Sequence, residues 1–220
     1  MAYQWDIDNP RTYNSRMGKY RTKIEFDFIC DSLTRQVSIL DIGGGSGRFA
    51  IPLHDAGHDV TVIDKNGEAI ELLNGRCPNI RCLVEDFEAT RVSQKYDFIL
   101  SIEVLDYFKD WSSVFRTIYG LLNEDGLFVF TATNKSSWRT IARNLIRDDY
   151  GYTQMSAREY LRFVEDSSFV VQRCTGFSWI PLGVGSNSRL VSVFANLERG
   201  LRLNRWIAQS PHLLFAVRKA

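Results

Sequence analysis

ILDIGGGSGRFA, at residues 39–50, is the stretch that decides the fold. Its glycines stand at positions 43, 44, 45 and 47, after an apolar run and before an amphipathic one, where missing side chains let the backbone approach a ligand closely. The spacing is G-x-G-x-G, whereas a dinucleotide-binding fold has G-x-G-x-x-G, and no G-K-[ST] follows to form a Walker motif. Asp41 stands two residues before the first glycine, and its carboxylate disfavours a polyanion but suits a ligand with positive charge. The stretch therefore predicts a nucleotide-like ligand that is partly cationic.

The rest of the chain continues the alternation of apolar and amphipathic segments. The apolar runs are VSILDI, HDVTVID, NIRCLVED, YDFILSIEV and LFVFTAT, followed later by FVVQRC and HLLFAVRK. This βαβ rhythm is typical of a parallel sheet covered by helices on both faces. We expect an α/β fold with a Rossmann-like, doubly wound, seven-stranded sheet, in which five parallel strands are joined by a final antiparallel hairpin.

Length and composition limit the domain organisation. With 220 residues, 45% of them hydrophobic, the chain suffices for one full-sized core and is short for two. We expect a single domain over residues 1–220, with an N-terminal lid at 1–35 and an insertion at 180–211 between the last two strands. The insertion is too long for a hairpin turn and should be structured.

Charge and cysteine usage exclude several classes of protein. The chain has 27 basic and 26 acidic residues, a formal charge of +1, so no overall basic field indicates nucleic-acid binding. Strand four also lacks the [DNS]-P-P-[YFW] signature of amino methylation on nucleic-acid bases. The four cysteines are scattered without metal-like spacing, and neither a signal peptide nor a membrane span is recognisable, so we expect a cytoplasmic protein.

The segment from Asp41 to Gly47 resembles the first motif of class I S-adenosylmethionine-dependent methyltransferases, [DE]-x-G-x-G-x-G. The resemblance implies that S-adenosylmethionine is the cofactor and S-adenosylhomocysteine the product. It also implies that Asp64, at the end of the second strand and followed by Lys65, accepts hydrogen bonds from the ribose hydroxyls. At the end of the third strand, the resemblance implies that Asp86 accepts from the adenine amino group and that Phe87 supports the ring. The cofactor loop itself comprises Asp41, Gly43, Gly44, Gly45 and Gly47.

The fourth strand, within YDFILSIEVLDYF, resembles the family's fourth motif, whose end lies under the methyl group. The resemblance implies that Ser101 belongs to the cofactor site. Glu103 and Asp106 are candidates for a general base, with Tyr107 positioning the acceptor. Alternatively, both carboxylates cap the helix that follows.

The N-terminal segment resembles a lid that folds over the cofactor in small-molecule methyltransferases. Tyr13 would then face the sulfonium and Arg21, ahead of an amphipathic helix, the methionine carboxylate. The alternative is that these aromatic residues pack on the helix as surface cover. The resemblance extends to Gly151-Tyr152 through Phe169, which is similar to the small-molecule branch, including the ubiquinone-biosynthesis-type and the sugar and natural-product methyltransferases.

The histidines offer no evident catalytic group. His54, His58 and His212 are expected to be structural or solvated. Thr133-Asn134 after strand five leaves too few hard oxygen ligands for a catechol-type metal site, so no metal ligand is predicted.

The insertion is basic and amphipathic, because arginines at 189, 199, 202 and 205 face a single acid, Glu198. It predicts a lid for an acidic acceptor, or a peripheral membrane or lipid-linked substrate contact through 188–206; a dimer contact or plain cover for the sheet is the alternative. The oligomeric state is left open.

The function that follows is methyl transfer to a small molecule or glycan, at oxygen. An activated methyl group needs mainly positioning, so the chemistry rests on proximity, with base help from Glu103 or Asp106. Two alternatives are an NAD-dependent oxidoreductase on the same sheet and a non-catalytic partner subunit.

Overall fold

A seven-stranded sheet forms the centre of the protein, whose computed structural model describes residues 4–144 and 154–220. Within these residues the strand order is β3-β2-β1-β4-β5-β7-β6. The strands are β1 (Ser38–Ile42), β2 (Asp59–Asp64), β3 (Arg81–Val84), β4 (Tyr96–Ser101), β5 (Leu122–Thr133), β6 (Phe169–Phe177) and β7 (His212–Lys219).

Strands β1 to β5 are parallel, whereas β7 runs antiparallel to both β5 and β6. The predicted doubly wound sheet with a final antiparallel hairpin is therefore confirmed. Because β7 runs backwards, its first residue lies at the edge where the parallel strands end. In the register, His212 is opposite Thr133 of β5 and Phe177 of β6.

Helices cover the two faces of the sheet. They are α1 (Arg16–Cys30), α2 (Ala50–Asp55), α3 (Gly67–Arg76), α4 (Trp111–Leu121), α5 (Trp138–Asn144), α6 (Ala157–Asp166) and α7 (Leu190–Gly200), with short 3₁₀ turns at Phe87–Ala89, Leu105–Tyr107 and Leu203–Arg205. One core cluster joins the sheet to α4 and α6, through side chains such as Phe115 and Tyr160. The other joins it to α1, α2 and α3, through side chains such as Ile29 and Leu73. Burial on both faces explains why the central strands read as nearly continuous apolar runs.

Helix α1 begins earlier than the sequence indicates. Ser15 is its N-cap, and the Ser15 hydroxyl accepts a hydrogen bond from the backbone N–H of Gly18 at 2.8 Å. Arg21 therefore lies within α1 rather than ahead of it, where its side chain reaches the cavity at the sheet edge.

The chain between β6 and β7 contains α7 and the last 3₁₀ turn. Val191 and Ala195 on the inner side of α7 pack with Met17 of α1 and with Ile180. No helix in the described ranges has the length and apolar content needed to cross a membrane. The Gly151-Tyr152 pair lies outside the described residues.

Candidate active site

A cavity of about 680 Å³ opens where the parallel strands end. Most residues predicted for the site line it: Tyr13, Arg21, Asp41, Gly43, Gly44, Gly45, Asp64, Lys65, Asp86, Phe87, Glu103, Asp106 and Tyr107. Two do not, namely Gly47 and Ser101. Ser101 is fully buried at the end of β4, and its place in the cofactor site stays a prediction.

Gly44 and Gly47 serve different purposes in the loop after β1. A Cβ on Gly44 would lie 2.7 Å from Oδ2 of Asp41, so only a glycine lets the loop pack this closely on that carboxylate. Gly47 has a φ of +95°, and a Cβ there would lie 2.6 Å from Leu73 of α3. A side chain at Gly47 would thus disturb the packing of α3, and the role of Gly47 in cofactor binding stays a prediction.

Asp41 is a buried carboxylate on the cavity wall. It is 2% exposed, and its Oδ2 has no hydrogen-bond partner within the protein. Burial raises the pKa of this carboxyl to about 7, although the Arg48 guanidinium opposes the shift. A cationic group placed against Oδ2 would satisfy the orphaned oxygen and favour its ionised form.

Asp64 binds the glycine loop to the end of β2. Its Oδ2 accepts from the backbone N–H of Gly45 and its Oδ1 from that of Asn66, each at 2.9 Å. Each carboxylate oxygen can accept a second hydrogen bond, so the bonds to the loop leave room for two hydroxyl donors of a ligand. Lys65 follows it in an exposed position on the cavity wall.

Asp86 and Phe87 form the wall beyond β3. Asp86 caps the 3₁₀ turn by accepting from the N–H of Glu88, and it is exposed to the cavity. Phe87 is buried against Phe108, with ring centroids 6.0 Å apart. A flat ring can lie on this aromatic pair while the carboxylate accepts from its edge.

Four charged side chains form a buried cluster beneath the N-terminal segment: Arg21, Glu25, Arg48 and Glu103. Arg48 approaches Glu25 to 3.1 Å and Glu103 to 3.0 Å, while Arg21 pairs with the other oxygen of Glu103. Glu25 is fully buried and Arg48 is 9% exposed. Two cations and two anions thus compensate each other out of water, as buried charges must.

Glu103 is a poor candidate for the predicted general base. Its burial opposes ionisation, but the guanidinium groups of Arg21 and Arg48 outweigh this and hold the pKa of its carboxyl well below its usual range. Its backbone lies in the left-handed region, with φ of 61°, and its N–H donates to the Thr131 hydroxyl at 2.6 Å. This strained turn places the carboxylate in the charge cluster.

Tyr13 closes the cavity from the N-terminal side. Its hydroxyl donates to Glu103 at 3.1 Å, and its ring lies under the Arg48 guanidinium at 4.0 Å. Burial raises the pKa of this hydroxyl, which therefore remains a donor. Trp5 packs on Tyr13 with centroids 5.8 Å apart. The N-terminal segment thus covers the site. Arg21, which was predicted to bind the carboxylate of the methionine part of the ligand, pairs instead with the carboxylate of Glu103 in this structure.

A second group of polar side chains lies at the ends of β4, β5 and β7. Asp106 accepts a hydrogen bond from the Thr133 hydroxyl, and His212 lies opposite Thr133 in the sheet. All three line the cavity, as does Tyr107. His212, which is expected from the sequence to be structural or solvated, lies on the cavity wall because its antiparallel strand begins at the same edge.

Sequence reasoning missed Arg48, Glu25 and His212. Arg48 directly follows the glycine motif, so its position was visible, but its two carboxylate partners come from α1 and from the turn after β4. For His212, the signal was the direction of the last strand. Because β7 is antiparallel, it has its first residue at the site, whereas the parallel strands have their last residues there.

The residues present fit an S-adenosylmethionine molecule. An orphaned buried carboxylate at Asp41 suits an ammonium group, Asp64 has acceptor capacity for ribose hydroxyls, and Asp86 with Phe87 suits a purine. In the described residues no group of three or more histidine, cysteine or acidic side chains is placed to hold a metal ion.

Known proteins are similar to this chain in sequence and in architecture. Residues 13–174 match the family model described as "Methyltransferase domain". The chain is 25% identical over 207 residues to the ubiquinone biosynthesis O-methyltransferase of Methylobacterium nodulans, covering 83% of each chain. It is 25% identical over 129 residues to the tRNA 5-carboxymethoxyuridine methyltransferase of Escherichia coli K12, covering 54% of this chain and 48% of that protein.

The fold resembles that of magnesium protoporphyrin IX methyltransferase from Synechocystis PCC 6803, solved with bound S-adenosylhomocysteine. The TM-score is 0.67 at 13% identity, over 93% of this chain and 85% of the other. The family match, the sheet topology and the cavity agree, and the chain belongs to the methyltransferase-domain family as a class I S-adenosylmethionine-dependent methyltransferase.

Proposed function

We propose that this methyltransferase acts on a hydroxyl group of a small acceptor with a flat, largely apolar body. The observation that carries the proposal is the composition of the cavity wall beyond the cofactor residues. There Val104, Val184 and Pro211 provide apolar surface, and a compact polar group lies among them at the ends of the strands. Such a wall binds an apolar body and directs one polar atom to a defined point.

The cofactor side of the cavity holds its ligand by charge and hydrogen bonds. Asp41 would pair with the ammonium group, Asp64 would accept from the ribose hydroxyls, and Asp86 would accept from the adenine. Bound S-adenosylmethionine supplies an electrophilic methyl group that is already activated by its sulfonium. The protein then has to position the acceptor oxygen in line and exclude water, which accounts for a large part of such rate enhancements.

His212 is the group best suited to take the acceptor proton. Histidine changes charge near neutral pH, which is the range in which a general base works best. Ionised Glu103 is within electrostatic range of His212, because the charge on His212 is one of the influences that lower the pKa of Glu103. An imidazolium formed by proton uptake would therefore be stabilised. Asp106, already bound by the Thr133 hydroxyl, is the second candidate, and Tyr107 would orient the acceptor.

Two further observations support a small-molecule acceptor over a nucleic acid. The chain has a formal charge of +1 and no overall basic field, and the relative that modifies a tRNA base matches only 54% of this chain. The M. nodulans relative, which matches 83%, is named for O-methylation in ubiquinone biosynthesis. A glycan remains the alternative acceptor class within the same chemistry.

The test begins with calorimetric titration of the purified protein with S-adenosylhomocysteine, with NADH as control ligand. We expect micromolar binding of the first and none of the second. Phenols, catechols and free sugars are then offered with S-adenosylmethionine, and methylated products are identified by mass spectrometry. If only the sugars are O-methylated, the acceptor is a glycan and not a flat apolar molecule. Cofactor binding with no turnover on any of them would favour a non-catalytic partner subunit, and NADH binding would favour an oxidoreductase, for which the comparisons give no support.

A further inference from the structure

The outer side of α7 carries large apolar residues that the fold does not bury. Leu190, Val193 and Leu197 recur at intervals of three and four residues, so they share one helix face. Leu201 caps the helix, and Trp206 follows the next 3₁₀ turn. Each of these five side chains is more than half exposed. We call these five residues the α7 surface.

The fold anchors α7 by its other side. Val191 and Ala195 pack in the small core cluster with Met17, and Glu198 accepts a hydrogen bond from the Tyr20 hydroxyl at 2.7 Å. The residues of the α7 surface are not part of this core cluster. Exposed apolar residues gathered in this way usually mark an interaction site.

The exposed charged residues within 188–206 are all basic. Exposed arginines stand at 189, 199, 202 and 205. The sole acid in 188–206, Glu198, is buried and turned inward. Since the whole chain has a formal charge of only +1, this is a local concentration of positive charge.

We infer that the α7 surface docks on an anionic lipid bilayer. Its leucines and Trp206 enter the interface between headgroups and acyl chains, while the arginines bind lipid phosphates. Trp and Arg suit this boundary, because each combines an apolar body with a polar end. A second copy of the chain fits less well, since a symmetric contact would set these arginines against their own equivalents.

The α7 surface is structurally joined to the cavity. Val184, in the loop before α7, lines the cavity, and its carbonyl oxygen accepts from the Ser15 hydroxyl at the start of α1. The N–H of Met17 donates to the Ser186 carbonyl at 3.0 Å. Docking therefore holds the loop and the lid segment together at the bilayer. It does not depend on the proposed acceptor and can be tested without one.

The experiment measures sedimentation of the purified full chain with vesicles of phosphatidylcholine alone or with about a third of phosphatidylglycerol. We expect binding to the anionic vesicles only, weakened by salt. The triple variant Arg199→Gln/Arg202→Gln/Arg205→Gln should bind roughly a hundredfold more weakly, since each basic residue near such a surface contributes about fivefold. Leu197→Ser/Leu201→Ser/Trp206→Ser should also lose binding, because its apolar contact is removed.

The matched control is Arg116→Gln/Arg158→Gln/Arg162→Gln, which removes three exposed arginines from α4 and α6 on the opposite face of the sheet. It changes net charge equally and should bind as the unmodified chain does. If both arginine variants bind the vesicles equally weakly, binding depends on net charge and not on the α7 surface, and the proposal is overturned. It would also be overturned by no vesicle binding, or by a concentration-dependent dimer that the apolar triple variant abolishes. Circular dichroism and S-adenosylhomocysteine titration check that each variant is folded.

Discussion

His212 and Thr133 lie directly opposite each other in the antiparallel pairing of β7 with β5. Thr133 is the last residue of β5, and His212 is the first residue of the neighbouring strand β7. Both therefore lie at the edge of the sheet where the cavity opens. The Thr133 hydroxyl donates to Asp106, which aligns that carboxylate beside the pair. The antiparallel direction of β7 thus brings an imidazole to a site otherwise built from the ends of parallel strands.

Replacing this histidine tests the proposed base. His212→Asn should lower kcat by about 10²- to 10⁴-fold, the usual contribution of a general base, with S-adenosylhomocysteine affinity nearly unchanged. The acid limb of the pH–rate profile should flatten as well, because the titrating group is gone. His54→Asn and His58→Asn are matched controls, since neither residue lines the cavity. If His212→Asn keeps full activity and Asp106→Asn does not, the base is Asp106; if both remain active, catalysis rests on positioning alone.

Asp64 supports both the ligand and the loop. Asp64→Ala removes a charged acceptor worth roughly 1.5 to 3 kcal/mol, so S-adenosylhomocysteine should bind about ten to a hundredfold more weakly. The bonds to Gly45 and Asn66 are lost at the same time, and thermal unfolding without ligand reports that part separately. Asp59→Ala, at the exposed start of the same strand, is the control. An unchanged affinity in the folded Asp64 variant would contradict the ribose assignment.

Replacing Asp41 should make the ligand-free protein more stable and weaken its binding of the cofactor. Its folded pKa is raised to about 7, so ionising it destabilises the fold as pH rises from the unfolded value near 4 to about 7, and the penalty is constant above. Asp41→Asn should therefore raise the free energy of unfolding of the ligand-free protein by a few kcal/mol at pH ~8, and by about half as much at pH ~5.5. Cofactor affinity should fall in the same variant, since the ammonium loses its partner. A stability gain that does not depend on pH would argue against a desolvated carboxylate.

The fold and the cofactor loop were predictable from the sequence because their signals are local. The glycine spacing, Asp41, and acids at the ends of the second and third strands all lie within short segments whose periodicity is clear. The acceptor side was less predictable. Glu103 reads as a free acid in SIEVLDYF, and only the approach of Arg21 from α1 and Arg48 from the loop reveals its pairing. Such long-range ion pairs, like the strand direction that brings in His212, depend on tertiary structure that no single segment encodes.

Glu103→Gln provides a test of this charge cluster. The variant leaves two guanidinium groups against Glu25 alone, and breaking a buried ion pair in this way typically costs about 3 to 5 kcal/mol. The charge-balanced variant Glu103→Gln/Arg21→Gln should recover most of the loss, because one cation and one anion remain. The pKa of Glu103 is depressed in the folded protein, so its stabilisation is present above the unfolded pKa near 4.3 and is lost as pH falls through the lower, folded value. Denaturant unfolding at neutral pH of the unmodified chain, the single variants Glu103→Gln and Arg21→Gln, and the double variant gives the comparison. If the double variant is as unstable as the two single losses added together, Arg21 and Glu103 do not act as a pair, and the strained turn at Glu103 has some other purpose.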